Sequence, residues 1–352
     1  MSIVKKFCQG TEQLTAKALQ SSRRMDDIVG ATTTNKGECA FFESVFNTSS
    51  IRPKAETMSA LHALINHKLS EISSATLEYI GPSALRNCPI KRPECPNVTY
   101  IDEDAFTASA IEEAVFPRVR VLAKNAFKSA RSLRRIDMPV LESIGDYAFS
   151  IVNDLNETTF PSVTSLGTGV FNSCMRLKKI SFPKLTIVKT GALGWAYLSH
   201  TFDLPNVVTV EDGGFERSEF PYIVLPSAIT IGANAFLRNV ALKWVDFPVA
   251  TSIGATAFSL CASMTACILR SETMCVAGSS DLFTQAFHMI GAYHKTYNPN
   301  TLHDGRVYVP AALIEQYRAD PVWSAMGVIF ETIEDHPEIT GGAENGVANS
   351  DV

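Results

Sequence analysis

Apolar and polar positions recur along this chain with a nearly constant spacing. Leu85, Phe106, Phe127, Phe149, Phe171, Leu193, Phe215, Phe236 and Phe258 follow one another at steps that differ by at most a single position. Five positions before each stands an aliphatic residue: Ile80, Ile101, Leu122, Ile144, Leu166, Val188, Val210, Ile231 and Ile253. The residue just before the marker is small, alanine in most units, glycine at Gly214 and at most valine at Val170. Self-similarity at this period marks a stack of coils, because a unit of about 20 residues cannot bury its apolar side alone and must pack on its neighbours.

The other half of each unit carries prolines: Pro96, Pro117, Pro139, Pro161, Pro183, Pro205, Pro226 and Pro248. Before them apolar residues alternate with others, as in Ile136 and Met138, Ile180 and Phe182, Ile223 and Leu225, and Val245 and Phe247. A period of two predicts a short half-buried strand. Proline, which has no N–H for a ladder, ends that strand in each coil. The glycines at Gly81, Gly145, Gly167, Gly232 and Gly254 predict a turn or bend. The expected fold is mainly β with short helices and turns, a solenoid of about nine coils closed by N- and C-terminal caps.

The recurring unit, L-x-x-I-x-F-P-x-V-x-x-I-G-x-x-A-F-x-x-C, resembles the BspA-like class of leucine-rich repeats over residues 77 to about 270. That class occurs in bacterial surface antigens and in some phage and protist proteins. The stretch 305 to 335 resembles the segment that closes such arrays: a strand, a short helix ending near Tyr317, then a tryptophan plugging the last coil. What the resemblance implies is a binding or structural scaffold, with no particular ligand.

Outside the repeat, residues 1–76 form an expected attachment or capping region. Met58, Leu61, Ile65, Leu69 and Ile72 predict an amphipathic helix there. Residues 271–335 are the expected C-terminal cap, and 336–352, with little to bury, an expected disordered tail.

Bulk composition narrows the function. At 352 residues and 46% hydrophobic the chain can build a sizeable core. A net charge of −5, with the excess acid beyond residue 79, argues against nucleic acid or an anionic membrane as partner. No stretch reaches the roughly 18 apolar residues of a membrane span, and residues 1–20 show no standard secretory signal. Taken with the resemblance, this favours a virion or extracellular-surface location, with synthesis in a reducing compartment. The sequons at Asn47, Asn97 and Asn156 carry little weight there.

Candidate chemistry is sparse. Cys88, Cys174 and Cys261 each lie three residues after a marker, where other coils have Ser109, Ala130, Val152, Ala196, Ser218 and Asn239. They read as occupants of one small interior slot, too far apart for disulfides. Cys261, Cys267 and Cys275 lack the close pairing of zinc ligands. His62 and His67 fall on different faces of a helix, and His288 and His294 lie in an expected loop. With no phosphate loop, nucleophile elbow or metalloprotease motif, the chain reads as a non-enzyme without cofactor or metal.

Specificity is then expected at the outward strand positions, four and two residues before each proline. The candidate face comprises Arg135, Asp137, Lys179, Asp203, Tyr222, Trp244 and Asp246, an aromatic and carboxylate mix suited to a protein or a surface glycan. The competing expectation is that a neighbouring loop or the C-terminal segment covers Tyr222 and Trp244. Residues 1–76 would attach the scaffold to a virion or surface assembly. The alternatives are a spacer without ligand and a cell-surface adhesin exported without a classical signal.

Overall fold

The computed structural model describes residues 72, 73, 75, 77–196, 202–286 and 305–340. Of the helix expected over residues 58 to 72 only Ile72 is described, buried and not helical; the rest of it and all the histidines named above lie outside them. Two compact units divide the chain: Met1–Val163 with Ser173–Leu177, and Thr164–Asn172 with Lys178–Val352.

In the first unit the aliphatic position builds a parallel ladder. Tyr79–Ile80, Tyr100–Ile101, Val121–Leu122 and Ser143–Ile144 pair coil to coil without slippage, Ile80 opposite Ile101 and Leu122 opposite Ile144. The proline-ended strands Glu113–Val115 and Arg135–Asp137 pair in the same way. Between the ladders the marker rings stack, Phe106 on Phe127 at 4.8 Å and Phe127 on Phe149 at 5.4 Å, all fully buried. Each ring buries on the order of 150–250 Å², which gives every coil a reason to keep its register.

The second unit repeats this arrangement. Ile187–Val188, Thr209–Val210, Thr230–Ile231, Ser252–Ile253 and Val276–Ala277 form one parallel ladder. Tyr222–Val224, Trp244–Phe247, Ala266–Leu269, Arg306–Val309 and Ile329–Thr332 form the other. Phe215, Phe236, Phe258 and Phe283 stack at 5.3 to 5.4 Å. Phe283 marks a further coil beyond residue 270, where the sequence reading ends the solenoid. Its step from Phe258 is longer than any between the earlier markers, which conceals it from a fixed period.

Trp323 closes that ring stack. It is buried, contacts Phe283 at 6.4 Å and donates its indole N–H to the Cys275 carbonyl at 2.8 Å. Tyr317, in the helix Ile314–Ala319, accepts the Cys275 N–H at 2.7 Å. Asp320 caps the short helix Pro321–Ser324 by accepting from Val322 and Trp323, which fixes the indole. The tryptophan thus plugs the last coil as expected.

Two features of the turns differ from the sequence reading. Gly145, Gly232 and Gly254 are not in the left-handed region, so no turn there depends on their freedom of φ. A Cβ on Gly145 would meet the Ala123 carbonyl carbon at 2.6 Å, and one on Gly232 the Asp212 nitrogen at 2.6 Å. These glycines let one coil's backbone approach the next. The turning is done two residues either side of the marker, where Asn125 and Ser129, Tyr147 and Ile151, and Asn234 and Arg238 all have φ between 55 and 61°. Left-handed backbone costs about 1–2 kcal/mol for such residues. In return their N–H groups point along the stack: Asn125, Phe127 and Ser129 each donate to the following coil at 2.8 Å.

The interior slot is as expected. Cys88, Ala130, Val152, Cys174, Ala196, Ser218, Asn239 and Cys261 are all fully buried. Several also donate to the marker carbonyl of the preceding coil: Cys174 to Phe149 at 3.2 Å, Asn239 to Phe215 at 2.8 Å and Cys261 to Phe236 at 3.1 Å. Burial pushes the Cys174 and Cys261 thiols up to about 12, so neither is a nucleophile at neutral pH.

Candidate functional site

Outward positions of the proline-ended strands carry the only side chains of each coil's strand free to differ, because the inward ones are fixed by the core. The two units use them differently. In the first, Glu112 and Glu113 sit between cations of the flanking coils. Lys91 and Arg134 pair with Glu112, the lysine at 3.0 Å. Arg92 and Arg135 pair with Glu113 at 3.0 and 3.5 Å. The predicted residues Arg135 and Asp137 also pair with each other at 3.2 Å. A hydrogen bond from Lys91, outweighing a small burial cost and helped by Arg134, holds the Glu112 carboxyl below its ordinary value. These carboxylates and cations therefore already have their partners.

In the second unit Lys179 is exposed and makes no ion pair with a described residue. Asp203, also exposed, accepts from the Ser181 hydroxyl at 2.7 Å. Parallel register sets Tyr222 opposite Trp244. Their rings stack at 5.0 Å with 8° between planes, and both side chains stay half-buried.

Asp246 departs from the expected face. It occupies an outward register yet is only 3% exposed. Arg270 reaches it through Nε at 2.9 Å and Nη2 at 2.8 Å, and the same Nη2 donates to the Ile339 carbonyl. Ile339, in the helix Pro337–Thr340, packs on Ile268, Tyr308 and Ile333. The described chain continues as this helix through Thr340, past the boundary at 335, and the helix lies over this column. Burial pushes the Asp246 carboxyl up, and Arg270's hydrogen bonds and charge pull it back. Asp246 is thus buried against the C-terminal closure and not exposed on the candidate face.

Missed by sequence reasoning are Ala266, Arg306 and Ile329, which continue the Tyr222 and Trp244 column. The segment between Ala266 and Arg306 is far longer than one repeat, so no constant period aligns them. Among the described residues no group of three histidine, cysteine, aspartate or glutamate side chains could hold a metal, and no helix is long and apolar enough to cross a membrane.

Short parallel strands ended by proline, a buried ring stack and a variable outward face define a leucine-rich-repeat β-solenoid. Residues 7–112, 78–198, 120–218 and 208–287 match the BspA type leucine rich repeat region in six copies, and the chain belongs to that family. Repeats of this kind serve as interaction scaffolds. Among solved structures, the chain is similar to the pneumococcal vaccine antigen PcpA, at 15% identity over 74% of this chain and 79% of that one, TM-score 0.38. A leucine rich cell surface protein of Faecalibacterium prausnitzii is similar at 16% identity over 67% and 83%, TM-score 0.40. The T. pallidum leucine rich repeat protein is similar at 19% identity over 53% and 80%, TM-score 0.35. At these values the likenesses carry no argument about what this chain binds. A search of the curated proteins finds no match.

Proposed function

We propose that this chain is a non-enzymatic interaction scaffold that binds a protein or a surface glycan through the outward strand face of its second unit, centred on Tyr222 and Trp244. The stacked, half-exposed aromatic pair carries this reading. Rigid aromatic side chains offer large contact area at little entropic cost, and they dominate binding energy at interfaces. The ion-paired face of the first unit offers less, since a partner would have to strip solvent from charges that are already matched. Residues 1–76 are the proposed attachment to a surface assembly. A virion location is the finer form of this proposal; phage tail or portal genes beside this one would support it and a metabolic neighbourhood would overturn it.

The test is capture of a partner by the immobilised full chain from a surface extract, compared with Trp244→Ala and Tyr222→Ala. Loss of capture by tenfold or more in either variant, with unchanged circular dichroism, is expected. Equal capture by all three chains would remove the face.

A further inference from the structure

One column of the second unit is a ladder with a rung missing. Tyr222, Trp244, Ala266, Arg306 and Ile329 stand at one level on successive parallel strands. Tyr222 and Trp244 fill two rungs with stacked rings. Ala266, partly exposed and packed at one side against the Ile268, Tyr308 and Ile333 cluster, places only a methyl group on the next. Among the described residues no ring meets the far face of Trp244.

Strand spacing is about 4.8 Å, so the interval from the Trp244 rung to the Arg306 rung is about 10 Å, floored by Ala266. One further ring in that interval would lie at the same separation from Trp244 as Tyr222 does. The Arg306 side chain is 52% exposed and its Nε is held by Glu331 Oε1 at 3.0 Å. His336 stands 2.8 Å from the other oxygen of Glu331. That anchorage orients the guanidinium, and no described residue accepts from its terminal Nη atoms. A guanidinium fork presented in this way matches a carboxylate. At the rim Lys243 and Thr265 are exposed and polar, suited to hydroxyl groups.

We infer that this interval is a subsite for an acidic pyranose, a sugar ring bearing a carboxylate. The ring's C–H face stacks on Trp244 above Ala266, and the carboxylate takes the Nη atoms of Arg306. A single carboxylate fits the guanidinium of Arg306, whereas the chain's net charge of −5 opposes a polyanionic nucleic acid. This inference rests on the proposed face and names its ligand class.

The full chain is titrated calorimetrically with a glucuronic-acid trisaccharide, its neutral glucose counterpart and a short oligothymidine. The acidic sugar is expected to bind at least tenfold more tightly than the neutral one. Arg306→Gln, at an exposed position that should leave folding intact, erases that preference. Ala266→Leu, which fills the interval, weakens both sugars by tenfold or more at unchanged circular dichroism. Failure of both sugars to bind, equal affinity for both, wild-type affinity in Ala266→Leu, or oligothymidine binding as tight as the acidic sugar overturns the subsite. If partner capture by the same preparation still depends on Trp244, the failure belongs to the sugar assignment and not to the face.

Discussion

The two units are each built alike inside and differ on the outside. Both stack phenylalanines beneath parallel ladders, but the first lines its strand face with carboxylates between cations, whereas the second carries an aromatic pair and a buried aspartate. In the first, Glu112 and Glu113 find their opposites one coil away because the repeat brings outward positions to within a strand spacing of each other. In the second, a single arginine removes Asp246 from solvent, while among the described residues the rings of Tyr222 and Trp244 stack only on each other. On the proposed face, a column is open to a partner where its own described neighbours do not complete it.

The largest test of that contrast is truncation of a carboxylate in each unit. Asp246→Ala leaves Arg270 without its partner in a largely buried site and should cost about 3–5 kcal/mol in denaturant unfolding. Glu113→Ala, whose arginine partners are more than half exposed, should cost about 0.5 kcal/mol and lose that effect in high salt. Equal costs would refute the difference between the faces. Where the units should agree is the interior. Gly145→Ala in the first and Gly232→Ala in the second each push a Cβ into the preceding coil's backbone, and each should cost about 1–3 kcal/mol. Gly191→Ala meets nothing within 4 Å and should cost only about 1 kcal/mol, from its φ of +60°. Matching losses at Gly145 and Gly232 would confirm that the coils are equivalent inside.

The smallest effect is a titration. Because the folded state holds Glu112 below its ordinary value of 4.5, the stabilisation it contributes is complete above that value and is lost as the pH falls through the lower folded one. Lys91→Ala should move the Glu112 midpoint upward in an NMR titration, towards 4.5. An unmoved midpoint would show that the lysine does not complete the ladder.

Much of the interior was legible in the sequence. Period, proline stops and the small slot follow from residue types that the core demands, so Cys174 and Cys261 could be recognised as packing rather than chemistry. The left-handed positions were not legible, since Tyr147, Ile151 and Trp195 have no local preference for that backbone. It is imposed by the hydrogen bonds between coils. The glycines were legible as special, but their reason, a neighbour's backbone 2.6 Å from a notional Cβ, exists only between coils.

On the candidate face the division is sharper. Alternation correctly set Tyr222 and Trp244 side by side, because parallel register converts one full period of the sequence into adjacency. It also placed Asp246 outside, blind to Arg270 in the next coil and to Ile339 in the last helix. The sequence by itself determined what each coil must turn inward, since burying apolar residues at a fixed period has one solution. Only the tertiary structure decided which outward positions remain open, because exposure depends on distant segments, such as the helix over Asp246 and the rung supplied by Arg306, that obey no period.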